Sequence, residues 1–176
     1  LLAPLFGDMI TNIEGATITI SGSAYLQSED VLAFTGGSGI SGSYVAGDSS
    51  GVLTLSGSAT KAQYEAALES VTYQNTNTED PNNGNRTVSW LVNDGTANSS
   101  AITSTIGVTA VNDAPVLAGA GQSVTFTLSG PDIVIDSTLV VSDVDDVDIE
   151  SATISISSGF DGSVDSLAFT PVSGST

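Results

Sequence analysis

A run of acidic residues is the densest group of potential metal ligands in the chain. Five carboxylates fall within eight residues: Asp143, Asp145, Asp146, Asp148 and Glu150. Hard cations such as Ca²⁺ prefer this kind of oxygen donor, supplemented by backbone carbonyls. The order is not that of an EF-hand, because Asp148 stands where that loop needs glycine and Ile154 where it needs glutamate. Density alone leaves two interpretations open, a calcium site and a solvated acidic loop.

The charge balance favours cations as partners and disfavours polyanions. The 176 residues include 20 Asp and Glu but only two basic residues, Lys61 and Arg86, which gives a formal net charge of −18. Contacts to phosphates or to anionic headgroups need Lys or Arg. We therefore expect no nucleic-acid partner. The apolar runs are also too short to span a bilayer, so we expect no direct insertion into a membrane.

Side chains that most catalytic sites need are missing from the sequence. There is no cysteine and no histidine, which removes thiol nucleophiles, zinc-thiolate sites and imidazole bases. Residues 47–51 match the GxSxG spacing of serine hydrolases, but a nucleophilic serine of that kind needs an imidazole partner. We therefore expect no enzymatic activity and no catalytic residues.

Alternation with a period of two dominates the sequence and predicts short, half-buried strands. The segments that follow this pattern are 16–21, 31–35, 52–55, 71–74, 87–92, 102–110, 124–128 and 152–157. Clusters of Gly, Ser, Asn and Asp separate them, as in an antiparallel β-sandwich. Trp90 falls in the apolar register of its strand and is expected in the core.

One segment follows helical periodicity instead. Thr60 and Gln63 have the spacing of a capping box, in which the N-cap and N3 side chains each bond the other's backbone N–H. Three apolar residues then share one helical face, namely Tyr64, Ala67 and Leu68. The sequence predicts a short helix over residues 61–69 that crosses between two sheets.

The chain also repeats itself with a period of about 135 residues. Residues 13–21 recur as 149–157 with an offset of 136, and residues 30–35 recur as 165–170 with an offset of 135. These blocks predict a first module over residues 1–113, whose first strands are missing or shortened. Residues 114–176 are then the N-terminal part of the next, homologous module.

Several segments resemble the cadherin-like or VCBS-like repeats of giant bacterial surface adhesins of the RTX-adhesin type. Residues 108–116, Val-Thr-Ala-Val-Asn-Asp-Ala-Pro-Val, are similar to the linker between cadherin domains. Residues 88–95 resemble the penultimate cadherin strand with its terminal Asp-Gly, and residues 140–145 resemble the Asp-x-Asp that follows the second strand. Residues 51–60 and 64–73 are typical of the bacterial repeats. The likeness covers most of residues 13–170.

The resemblance implies an Ig-like or cadherin-like Greek-key β-sandwich with calcium at the junction between tandem modules. It implies ligands from the finished module (Asp94), from the linker (Asn112 and Asp113) and from the following module (Asp143 and Asp145). The acidic run adds Asp146 and Asp148 to this expected metal set.

The function implied is that of a structural extender and adhesion module of a secreted bacterial surface protein. Its partners would be neighbouring modules of the same protein or identical chains in a fibre. The alternative is a subunit of an extracellular filament, in which strands missing from one chain are supplied by its neighbour.

Overall fold

The alternating segments form an all-β fold with one short helix, described for residues 12–171 in a computed structural model. The elements are β1 (Asn12–Ser21), β2 (Asp30–Ala33), β3 (Ser41–Ala46), β4 (Ser50–Thr60), α1 (Lys61–Glu69), β5 (Thr72–Asn75), β6 (Gly84–Asn93), β7 (Ile102–Val108), β8 (Val116–Ala118) and β9 (Val140–Ser142). The all-β prediction is confirmed.

Five antiparallel strands make the larger sheet, in the order β3-β4-β1-β6-β7. Strand β1 lies at its centre, where Ile18 is opposite Leu53 of β4 and Trp90 of β6. The register with β4 shifts between Ile13 and Gly15, which leaves Glu14 in an irregular position. The apolar residues of β1 therefore have a neighbouring strand on both sides.

The smaller sheet consists of β2 and β5, and α1 connects β4 of the larger sheet to β5. The predicted helix is confirmed at residues 61–69, and both hydrogen bonds of the capping box between Thr60 and Gln63 are present. The side chains of Tyr64 and Ala67 are buried, whereas that of Leu68 is half-buried.

Both sheets and the helix contribute to one hydrophobic core. Its buried residues include Ile18 and Ile20 from β1, Leu32 from β2, Leu53 from β4 and Val88 from β6. Trp90 packs against this core while partly exposed, and its indole N–H donates to Ser104 at 3.0 Å. The described residues of the larger sheet and the β2-β5 pair thus form two layers around a shared interior.

Strands β8 and β9 pair antiparallel, with Val116 opposite Ser142. Two further predicted strands, at 124–128 and 152–157, are not strands in the structure. Each has the right alternation, but no described strand lies beside either one, and a strand without a pairing partner has no ladder to stabilise it. Alternation alone therefore overpredicted the strand content.

The chain divides into two compact units, the first reaching Asp145 and the second beginning at Asp146. The expected module boundary between residues 113 and 114 stays a prediction, and the first residues of the expected first module, 1–11, lie outside the described ones. No helix in residues 12–171 is long and apolar enough to cross a membrane.

Candidate metal centre

The pairing of β8 with β9 determines which acidic residues meet. Because the strands are antiparallel and Val116 lies opposite Ser142, the chain entering β8 runs beside the chain leaving β9. The entering chain is the linker with Asn112 and Asp113, and the leaving chain carries Asp143 and Asp145. A three-residue β-pair thus brings two groups of predicted ligands together from positions about 30 residues apart.

One hydrogen bond joins these two groups, and one further bond lies within each of them. The backbone N–H of Asp113 donates to the Oδ2 atom of Asp145. The backbone N–H of Asp145 donates to the Oδ1 atom of Asp143 at 3.0 Å. The side-chain amide of Asn112 donates to the backbone carbonyl of Asp113. The linker is therefore held to the segment after β9 mainly through the carboxylate of Asp145.

The second oxygen of Asp145 is the unusual atom of this centre. Its Oδ1 atom is buried and has no hydrogen-bond partner among the described residues. A buried carboxylate oxygen without a donor costs free energy, since water has been removed and nothing replaces it. In the part of the chain that the structure describes, the ion pair present joins Arg86 to Asp30, so it does not offset the charge of Asp145. This oxygen suits a cation.

The linker is also bonded to the loop between β5 and β6. The backbone N–H of Ala110 donates to Oδ1 of Asn83 at 2.6 Å. Asn83 belongs to the loop before β6, and its neighbour Asn82 donates a backbone N–H to the Glu29 carboxylate at 3.0 Å. Burial alone would raise the pKa of Glu29. The hydrogen bonds from Asn82, Asn77 and Asn75 outweigh it, so the pKa lies below its ordinary value.

Asp94 does not join the linker residues. The register of β6 and β7 places Gly84 opposite Val108 and Trp90 opposite Ile102. The linker therefore leaves β7 at the Gly84 end, whereas Asp94 follows the other end of β6. There its Oδ1 accepts the backbone N–H groups of Ala97 and Thr96 at 2.7 and 2.8 Å. These bonds lower the pKa of Asp94.

The remaining predicted ligands, Asp146 and Asp148, belong to the second unit and are exposed. The structure thus brings together Asn112, Asp113, Asp143 and Asp145 from the predicted set. Among residues 12–171, no group of three or more acidic side chains is arranged tightly enough to hold a metal ion. The centre consists of the carboxylates of Asp143 and Asp145 beside the linker backbone. Asp143 accepts the backbone N–H of Asp145, and the Oδ1 atom of Asp145 is buried without a hydrogen-bond partner among the described residues.

A buried polar cluster in the first unit was not anticipated from the sequence. Asp30 and Arg86 are both fully buried and paired, with Nε of Arg86 at 3.0 Å from Oδ1 of Asp30. The hydroxyl of Tyr73 donates to the same oxygen at 2.5 Å, and the backbone N–H of Leu26 donates to Oδ2 at 2.7 Å. Burial and the bond to Asp30 raise the pKa of Tyr73.

The sequence did contain a signal for this cluster. Arg86 occupies the same face of β6 as Val88 and Trp90, so a strict alternation places a charged side chain in the core. A buried arginine needs an acidic partner. Asp30 is the first residue of the repeated block 30–35, but neither its residue type nor the repetition identifies it as the partner of Arg86.

Comparison with protein-family models, with curated proteins and with solved structures found no match for this chain.

Proposed function

We propose that the chain is a structural extender and adhesion module of a secreted bacterial surface protein, with a calcium-stiffened junction between tandem repeats and no enzymatic activity. One observation carries the calcium part of this proposal. The Asp145 carboxylate holds the linker through the N–H of Asp113, while its other oxygen is buried without a donor. An ion bound by that oxygen would act directly on the group that holds the linker.

The donor set suits Ca²⁺ better than a softer metal. Asp143 and Asp145 would supply carboxylate oxygens, with Asp113 and Asn112 beside them in the linker, and there is no thiol or imidazole. A bound calcium ion would supply positive charge that offsets the repulsion between these carboxylates. The chain itself contributes the hydrogen bonds that orient Asp145, so the ion would stabilise an arrangement already present.

The proposed Ig-like or cadherin-like Greek key rests mainly on the sequence resemblance. Two antiparallel layers around one core support it. An immunoglobulin sandwich places its last two strands in a different sheet from its first two. Here β6 and β7 lie in the same sheet as β1 and β4, so the strand order differs from that of an immunoglobulin domain. The tandem arrangement has independent support from the turn at Leu26–Asp30, which recurs in the second unit with the same hydrogen bonds.

Calorimetric titration with calcium, paired with thermal unfolding, tests the proposal. At a calcium concentration 100-fold above Kd, binding to the folded state alone stabilises by about 2.7 kcal/mol. Asp145→Asn removes one charge and a ligand oxygen, so we expect calcium affinity to fall by about tenfold or more. Asp132→Asn is the matched control, because Asp132 is exposed, lies in the same unit and has the same charge.

Equal calcium affinity in the two variants, or no binding by the parent chain, would refute the calcium junction. Small-angle scattering on the same samples then decides the alternative, a filament subunit assembled by strand addition. The open edge strand β7, with Ile102 69% exposed, favours that candidate. It requires particles that lengthen with protein concentration in the presence of chelator.

A further inference from the structure

A turn of the first unit recurs in the second unit with the same hydrogen bonds. In the first unit, the N–H of Leu26 donates to Oδ2 of Asp30 at 2.7 Å, and the N–H of Asp30 donates back to the Leu26 carbonyl at 2.9 Å. In the second unit, Asp161 and Asp165 make the same two bonds, both at 2.8 Å. The offset is 135 residues for both partners. The two segments match only at Ser28 and Ser163 and at Asp30 and Asp165, yet they form the same turn at equivalent positions of the repeat.

The two copies of this turn differ in what covers them. In the first unit, Asp30 is fully buried and its Oδ1 accepts from Tyr73 on β5 and Arg86 on β6. In the second unit, Asp165 is exposed, and its carboxylate accepts from the backbone of Asp161. The second turn therefore has the acceptor of the buried cluster without the tyrosine and arginine donors.

The apolar residues beside the turn show the same difference. Ile18 and Ile20 of β1 are 0% exposed between β4 and β6, whereas their counterparts Ile154 and Ile156 are 70% and 38% exposed. The second unit also exposes Leu167, the counterpart of the buried Leu32. Ile156 and Leu167 line one groove with Phe160. In the described part of that unit, no strand lies over these exposed apolar side chains as β4 and β6 lie beside β1 in the first unit.

We propose that this face, formed by residues 152–157 and 165–169, is a docking surface for a set of strands with the chemistry of β4, β5 and β6. The partner is the C-terminal part of a module of the same kind. It supplies apolar residues in the places of Leu53 and Val88, and a tyrosine and an arginine that bind the carboxylate of Asp165. This inference rests on the tandem-module part of the proposed function and names what completes the second module.

Charge and burial favour this partner over a second copy of the whole chain. In a second copy, β1 already fills the place between β4 and β6, so inserting residues 152–157 would expel Ile18 and Ile20 and bury no additional apolar area. The buried position of Asp165 in a completed module also requires a cation. In a second copy, Arg86 is committed to Asp30.

Extending the full chain tests the proposal. A copy of residues 42–113 appended after Thr176 continues the repeat at its offset of 135 residues and supplies second copies of β4, β5 and β6. Amide hydrogen exchange is measured in chelator, so that the result does not depend on calcium. We expect exchange at Ile154 and Ile156 to slow by about 100-fold or more in the extended chain.

Two controls make the result specific. Asp165→Asn in the extended chain should lose most of the new protection, because the appended arginine would be buried without its partner. The amides of Ile18 and Ile20 report in the same sample that the first module is folded. Fast exchange at Ile154 and Ile156 in the extended chain, with Ile18 protected, would overturn the proposal. So would protection that appears in the parent chain as its concentration rises, since a second copy would then be the partner.

Discussion

Residues 16–21 form most of β1, whereas residues 152–157 form no strand, although the two segments differ at only one position, Thr19 against Ser155. The isoleucines of the first segment are fully buried and those of the second are exposed. The difference lies in the neighbours, because β4 and β6 pair with the first segment and no described strand pairs with the second. Strand formation in this chain is thus determined by pairing and burial more than by local sequence.

The turn at Asp30 and its counterpart at Asp165 behave differently from the strands. The turn forms in both units, since its hydrogen bonds link residues four apart and need no distant partner. Local structure of this kind needs no contact outside its own five residues. The strands and the buried ion pair instead join residues that are distant in the chain.

The largest difference between the two copies is expected for the repeated aspartate. Asp30→Asn leaves the buried guanidinium of Arg86 without its charged partner, which should cost about 3 to 5 kcal/mol of unfolding free energy. Asp165→Asn should change stability by less than about 0.5 kcal/mol, because that carboxylate is exposed. Urea unfolding followed by circular dichroism, which reports on the whole chain, measures both variants.

A milder variant guards against the loss of folding in Asp30→Asn. Tyr73→Phe removes one hydrogen bond to the same carboxylate and should cost about 1 to 3 kcal/mol. Equal losses for Asp30→Asn and Asp165→Asn would show that the two turns have the same surroundings, contrary to the structure.

The repeated isoleucine is expected to give the next largest difference. Ile18→Ala removes a fully buried side chain from the core and should lower the free energy of unfolding by about 2 to 5 kcal/mol. Its counterpart Ile154 is 70% exposed, so the free energy of unfolding of Ile154→Ala should lie within about 0.5 kcal/mol of that of the parent chain. A comparable loss in both variants would mean that residues 152–157 are packed as a strand after all.

Local signals predicted much of this fold. The capping box between Thr60 and Gln63 gave the helix with its bounds, because both partners lie within one turn of chain. The alternation around Ile18 and Val88 gave the strands of the larger sheet. The same alternation at residues 124–128 gave a strand that the structure lacks, since periodicity describes a strand's faces and carries no information on its pairing partner.

The candidate metal centre was also predictable only in part, because local sequence does not specify which distant residues meet. The acidic run includes Asp143 and Asp145, and the resemblance implies Asp113, whose backbone N–H donates to the Asp145 carboxylate in the structure. The resemblance also grouped Asp94 with the linker. The register of β6 and β7 separates them, and no property of the sequence near Asp94 specifies at which end of the sheet it lies.

The smallest expected difference between the copies concerns acid stability at position 29. Glu29 accepts three hydrogen bonds from Asn75, Asn77 and Asn82, which hold its pKa below the ordinary value of 4.5. A lowered pKa in the folded state stabilises that state above the unfolded pKa, and this contribution is lost as the pH falls through the folded value. The counterpart in the second unit is Val164, which cannot titrate.

The unfolding free energy reported by Trp90 should therefore fall less between pH 6 and pH 3 in Glu29→Gln than in the parent chain. Asp161→Asn is the matched control in the second unit. The hydroxyl and N–H of Ser163 lower the pKa of Asp161, but its exposed turn is not part of the core around Trp90. Its acid profile should follow that of the parent chain. A parent profile that coincides with that of Glu29→Gln would mean that the asparagine bonds to Glu29 do not stabilise the loop that leads to Asn83 and the linker.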